Sequence, residues 1–334
     1  MFRPIVAAAI QGSLFYVVAV LITWILRHDT ARLRCRVWTI AIFAQAGLVL
    51  LLSTPLPIHL SLPVWRQSTT PLKGAWLKPA TSSLHSLSVV VAPQLKRVSD
   101  AKEPPRLPWQ IATGVWLFGV AICLLRLGVG LKRLRRLSKD SRPLNKEAWL
   151  GLSQNLAKRL CIERPVKLTI GNGNSAKIPS TWGFVYPVIY LPETAEKWSS
   201  EQREFILLHE LIHIKRWDAL IDVAIGIITS VFWFDPFVWF AAKRHRKERE
   251  SACDEGVLSV GVMPSRYAEA LLFVERSASQ DLSATPGALA ALRANELRHR
   301  IGAILAEKKA NARANRLLRI AALIVSIRVR PFFP

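Results

Sequence analysis

The sequence is short of acid and of cysteine. Against 46 Lys and Arg stand only 23 Asp and Glu, a net charge of +23, and the four cysteines (Cys35, Cys123, Cys161, Cys253) lie far apart with no CxxC pair. That cysteine pattern excludes a disulfide-stapled fold and a cysteine zinc knuckle, and leaves reduced structural thiols. A phosphate loop is also missing. The glycine-dense stretch Gly171-Asn172-Gly173-Asn174 lacks both the Lys-Ser/Thr of a P-loop and the GxGxxG spacing, and reads as a hairpin turn. Nor does a nucleic-acid motif accompany the basic excess, so no direct nucleic-acid partner is expected.

What is present instead is apolar length. Hydrophobic residues make up 51% of the 334, with positive mean hydropathy, and the basic groups fall between long apolar runs, as in cytoplasmic loops of membrane proteins. Residues 5–26 hold no charged side chain, enough to cross a hydrocarbon core of roughly 30 Å as a helix. The run is too long for a signal-peptide core and no A-x-A-like site closes it. Residues 37–53 and 109–125 are two further candidate spans. The segments following the first and third, "RHDTARLRCR" and "RLGVGLKRLRRLSKDSR", are densely basic, which places both in the cytoplasm and the N-terminus outside. The expected layout is a transmembrane region over 1–137, with an external loop at 54–108, in the inner (cytoplasmic) membrane.

Residues 138–316 have the composition of a globular domain, expected in the cytoplasm. Trp149, Leu152, Leu156 and Leu160 recur at helical spacing, whereas Val166, Leu168 and Ile170 alternate as in a strand. A second strand is expected over 184–191, closed by Pro192. Next, Ser199 or Ser200 can cap a helix whose Phe205, Leu208 and Ile212 share a face. On that helix His209 and His213 are one turn apart and point the same way, so both imidazoles can bind one metal ion. Glu210 beside them is placed to take a proton from a zinc-acidified water and pass it to a leaving amine, which is the chemistry of peptide hydrolysis.

A catalytic zinc wants a third protein ligand, and "KRHRKERESACDEGVL" offers it. Glu250 lies in a segment apolar enough to bury, whereas Glu248 sits among Lys and Arg and reads as a solvated surface charge. Asp218 and Asp254 are candidates to accept a hydrogen bond from a ligand histidine, and read equally well as ion-pair or capping residues. Between the ligand helices, residues 219–242 are strongly apolar but contain Asp222, Asp235 and Pro236. They are expected to form a bent, membrane-apposed hairpin, because a single crossing would leave Glu250 across the membrane from His209.

With these residues in view, the chain resembles the BlaR/MecR type of membrane metallopeptidase. The likeness rests on "IPSTWGFVYPVIYLP", "LLHELIHIKRWD", "FWFDPFVWF" and "ERESACDEGVL", in family order, with "SRYAEALL" and "ELRHRIGAIL" behind them. It implies a mainly α membrane protein with a cytoplasmic α+β gluzincin-like zinc metallopeptidase domain and a small β-sheet. It further implies His209, His213 and Glu250 as ligands of one Zn2+, with Glu210 as catalytic base. The implied partners are a protein substrate, namely the chain itself or a transcriptional repressor, and membrane lipid; a homodimer is compatible. Sensor members continue into an extracellular penicillin-binding-like domain. Here residues 317–334 are read as the start of a further, truncated span, and no drug-acylating serine can be assigned. The alternatives are a quality-control or processing zinc protease and, from another class, a catalytically silent membrane receptor or scaffold.

Overall fold

Leucine, isoleucine and valine without intervening charge form helices whose backbone hydrogen bonds close within the segment, and among the described residues three helices built on such runs come first. The computed structural model describes residues 2–53, 106–172, 176–280 and 294–306. In it α1 runs over Phe2–Ile25, α2 over Ala31–Ser53 and α3 over Arg106–Asp140. Stretches of all three are long and apolar enough to cross a membrane: Ile5–His28, Ala31–Leu52 and Trp109–Asp140. Side chains such as Ile10, Leu50 and Phe118 stand about 70% exposed on their flanks. The third helix does not stop at residue 125. It continues through the basic stretch to Asp140, because Leu, Lys and Arg are all good helix formers. The same holds at the start of α2, where Arg32, Arg34 and Arg36 belong to its first turns. The expected external loop, the span start at 317–334 and residues 173–175 lie outside the described residues, apart from positions 106–108.

The apolar segment at 219–242 is a helical hairpin. α6, Asp218–Val231, leads out, and α7, Pro236–Ser259, leads back. Asp235 makes the sharp corner: its Oδ1 accepts a bond from the Phe237 amide at 2.8 Å, and Pro236 opens the next helix. The legs meet again where Arg249 pairs with Asp222, so the chain returns to the side it left. α7 lies antiparallel along α2, through Gln45 with Asp235, an edge-on contact of Trp38 with Phe240, and Arg34 with Glu248. Ala8, Ala9 and Ala19 of α1 and Ala41 of α2 permit close helix approach, and Ile225, Ile228 and Phe232 of the hairpin complete this apolar core. The corner is tied to α3 as well. Trp116 Nε1 donates to the Val231 carbonyl at 2.9 Å, and the Trp233 ring occupies the space that a Cβ on Gly119 would need.

A second core lies beyond the spans. It comprises α4 (Glu147–Arg159), a four-stranded sheet, α5 (Ser200–Lys215), α8 (Pro264–Gln280) and a helix over 294–306, here α9. The strands are β1 Arg142–Pro143, β2 Lys167–Ile170, β3 Ser180–Trp182 and β4 Val188–Leu191, in the order β1-β2-β4-β3. Two expectations are corrected. β2 and β4 pair in parallel, with Leu168 beside Ile189, and β2 does not pair with the next strand, β3, so the two are not the arms of a hairpin. The hairpin is instead β3 to β4, turned at Gly183, whose φ is +82° and whose added Cβ would meet the Tyr186 carbonyl at 2.5 Å. The strand expected over 184–191 begins only at Val188, because Phe184, Val185 and Tyr186 form the exposed turn.

Candidate metal centre

α5 starts from a reciprocal cap. The Gln202 amide donates to Ser199 Oγ at 3.2 Å, and the Ser199 amide to Gln202 Oε1 at 2.9 Å. Behind the cap every residue from Phe205 to Ile212 is buried, so this is a central helix packed all round rather than one with a single apolar face. That is why His209 and Glu210, at 6% and 7% exposure, occupy the interior at all. At the far end Trp217 takes a left-handed conformation, φ +60°, a costly choice for a bulky side chain. Arg164 holds it there, its guanidinium 3.7 Å above the indole and donating to the carbonyls of Ile214 and Phe184. The resulting corner turns Asp218, the first residue of α6, back onto His213.

Hydrogen-bond bookkeeping then fixes both imidazoles. His213 Nδ1 lies 2.8 Å from Asp218 Oδ2, a carboxylate, so it carries the proton. Tyr267 donates its hydroxyl to Asp254 Oδ1 at 2.8 Å and therefore accepts from His209 Nδ1 at 2.9 Å. Both Nε2 atoms are thus left with lone pairs, and they face each other at 3.2 Å. Glu250 Oε2 joins them at 3.7 and 3.9 Å. Two imidazole nitrogens and a carboxylate oxygen converge, an arrangement that is unfavourable unless a cation, a metal ion or a proton, sits in their midst. Two nitrogens on one tetrahedral zinc at its usual bond length stand about 3.3 Å apart, which matches the imidazole pair. The donor set, two imidazoles and a carboxylate, also suits zinc, so the residues present fit the ion.

Charged neighbours hold the carboxylates ionised. Arg249 donates to Glu250 Oε1 at 2.8 Å, while Oε2 faces the histidines with Arg300 Nη1 also 3.7 Å away. Burial works against the charge on Glu250, but His209, His213, Arg300 and Arg249 outweigh it and keep its carboxyl well below the usual range. Arg300 grips Asp254 through two bonds of 2.9 and 2.7 Å and likewise lowers its pKa against burial. Burial alone would lower the pKa of His209, yet Asp254 and Glu250 raise it to about 9: with no metal between them, the cluster favours a proton.

Glu210 opens onto the same cavity of about 310 Å³ as the cluster. Its Oε2 accepts a bond from Thr181 Oγ1 of β3 at 2.6 Å. The structure therefore brings together all six site residues read from the sequence. Glu248 is different. Far from being solvated, it pairs with Arg34 at 2.8 Å and is 14% exposed, because α7 lies lengthwise on α2 and this side of the helix faces a neighbour. Thr181, Arg164, Arg249, Tyr267 and Arg300 went unread. Tyr267 sits in the quoted stretch "SRYAEALL", but nothing local marks its role.

Residues 7–304 match a family model described as BlaR1 peptidase M56. The regulatory protein BlaR1 of Bacillus licheniformis is 31% identical over 144 residues, 43% of this chain and 24% of that protein. The methicillin resistance mecR1 proteins of Staphylococcus aureus and Staphylococcus epidermidis are each 24% identical over 147 residues, 44% of this chain and 25% of theirs. The matched stretch thus spans about a quarter of the length of these relatives.

Proposed function

Since this chain belongs to the BlaR1 peptidase M56 family, we propose that it is an integral membrane zinc endopeptidase of a signalling system, with His209, His213 and Glu250 as metal ligands and Glu210 as catalytic base. The observation that carries this reading is the meeting of three lone-pair acceptors beside a buried glutamate in one cavity. When bound, zinc supplies Lewis-acid chemistry, bringing the acidity of water to near neutral pH and polarising a carbonyl. Glu210 receives the proton of the attacking water and returns it to the leaving amine. Thr181 holds one oxygen of Glu210, so the other is free to do this work. Asp218 keeps the His213 ring in orientation, and Asp254 does the same for His209, largely through Tyr267.

The substrate is a polypeptide in extended form. β3 is the edge of the sheet, pairs only with β4 among the described residues and lines the cavity with Ser180 and Thr181, so its free edge can take an added strand. The basic residues just beyond α1, in the first turns of α2 and along the second half of α3 support a cytoplasmic gluzincin-like domain over 138–316, following membrane spans within 1–137 and an external N-terminus. The α6–α7 hairpin enters the bilayer from the cytoplasmic side and returns to it. The relatives' names, a regulatory and a methicillin resistance protein, support cleavage of the chain itself or of a transcriptional repressor.

Purified full-length protein, assayed beside Glu210→Ala for zinc content and for cleavage of itself and candidate repressors, tests the proposal. Both forms are expected to hold one zinc per chain and only the wild type to cut, with a loss on the order of 10³-fold in the variant. Absence of stoichiometric zinc in the wild type overturns the metallopeptidase reading. Equal inertness of two zinc-loaded forms favours a silent receptor.

A further inference from the structure

A second cavity, of about 560 Å³, lies on the other side of α7 from the metal cluster. Glu250 lines the first; Lys247, Ser251 and Glu255, one turn apart in succession, line the second. Its other walls are the end of α1, the start of α2 and α9. Part of the lining is apolar, from Val20, Trp24 and Trp38, and part is cationic, from Arg27, Arg244 and Lys247.

The acids of this cavity are mostly committed. Glu248 pairs with Arg34 at 2.8 Å, Asp254 with Arg300 at 2.7 Å, and Glu255 accepts the main-chain amides of Ala31 and Arg32. Only Asp29, exposed at the rim, remains. Arg244 stacks over Phe240, and neither it nor Lys247 has a carboxylate partner among the described residues. His299 of α9 stands close to both. Burial and then the charges of Lys247 and Arg244, against Glu248, hold its pKa below the ordinary value. Here cations are gathered without enough anions to answer them.

The depth of the cavity points to the missing anion. Trp24 and Arg27, the guanidinium 5.3 Å over the indole, lie at the end of the candidate span Ile5–His28, where aromatic and basic residues mark a bilayer surface. We infer that this cavity binds an acidic phospholipid, its phosphate between Arg244, Lys247 and Arg27 and its acyl chains along Val20 and Trp24. An apolar wall running into a basic pocket fits an anion that carries a tail. The site requires that α1 span a bilayer, but not that the metal centre cut peptides. Bound lipid joins α9 to α7 at His299, next to the Arg300 that holds Asp254.

The test uses the full chain, delipidated in neutral detergent and offered phosphatidylglycerol, phosphatidylcholine or inorganic phosphate, with retained lipid read by native mass spectrometry. Wild type is expected to retain phosphatidylglycerol over phosphatidylcholine, and the double substitution Arg244→Gln/Lys247→Gln to lower that retention on the order of tenfold. Lys243→Gln/Arg246→Gln removes the same charge from exposed positions outside the cavity and is expected to change little. Unchanged helix content and thermal midpoint show that a variant has folded. If the Arg244/Lys247 variant fails that check, Arg27→Gln, exposed just beyond α1, decides instead by a smaller loss. Equal losses in the two double variants, no preference for the acidic lipid, or displacement of lipid by millimolar inorganic phosphate each overturns the inference.

Discussion

The α6–α7 hairpin carries a buried polar cluster at each end, and the two are built on opposite terms. At the corner, the Tyr16 hydroxyl donates to Gln45 Oε1, Gln45 Nε2 to Asp235 Oδ2 at 2.9 Å, and the Phe237 amide to Asp235 Oδ1. In each of these bonds a donor meets an acceptor, and both oxygens of Asp235 are engaged. Where the legs meet, the outer faces of His209, His213 and Glu250 are equally well satisfied, by Tyr267, Asp218 and Arg249. Their inner faces are three acceptors in opposition. A matched cluster among apolar side chains pins helices together, whereas one matched on the outside and left unmatched within is prepared for something that is not protein.

The difference is broken most completely by removing an inner acceptor. Glu250→Gln is expected to lower zinc from one per chain to near none in dialysed protein, with helix content unchanged. Full retention of zinc would show that the carboxylate is not a ligand. The corner should respond in the reverse sense. Asp235→Ala leaves Gln45 Nε2 unpaired among apolar residues and uncaps α7, a loss of about 2–4 kcal/mol. Thermal unfolding in detergent should fall by several degrees while the folded protein keeps its zinc; loss of zinc without loss of stability would refute the assignment of a purely structural corner.

These two clusters were unequally legible. His209 and His213 announce themselves because a helix fixes the geometry of positions four apart, and Glu250 because an acid in an apolar stretch needs a reason to be buried. Asp218 lies only five residues from His213. Thr181 and Tyr267, in contrast, reach Glu210 and His209 from 29 and 58 residues away, and contacts between distant elements leave no periodic trace. Gln45 meets Asp235 across 190 positions. In the sheet, alternation marks a strand but not its direction, so the parallel pairing of β2 with β4 was hidden behind a glycine-rich stretch that looked like a hairpin. Charge misled in a related way. The candidate spans are bounded at the arginines of α2 and α3, though nothing in those residues breaks a helix, and Glu248 looks solvated from its neighbours in sequence although it pairs with Arg34.

The outer, satisfied faces of the metal cluster provide the finer test. Asp218→Ala removes the one carboxylate on His213 Nδ1 among the described residues and frees the ring to rotate or change tautomer, so zinc affinity should fall by about 10- to 100-fold, measured by competition with a chelator. Tyr267→Phe ought to do less. Asp254 Oδ1 already lies 3.4 Å from His209 Nδ1 and is fixed by Arg300, so with the hydroxyl gone a small shift lets the carboxylate take the bond directly. The expected loss is less than about tenfold in affinity, below the range of a fully lost outer partner. A Tyr267→Phe loss equal to that of Asp218→Ala would mean that His209 depends on the hydroxyl itself, and that Asp254 cannot replace it.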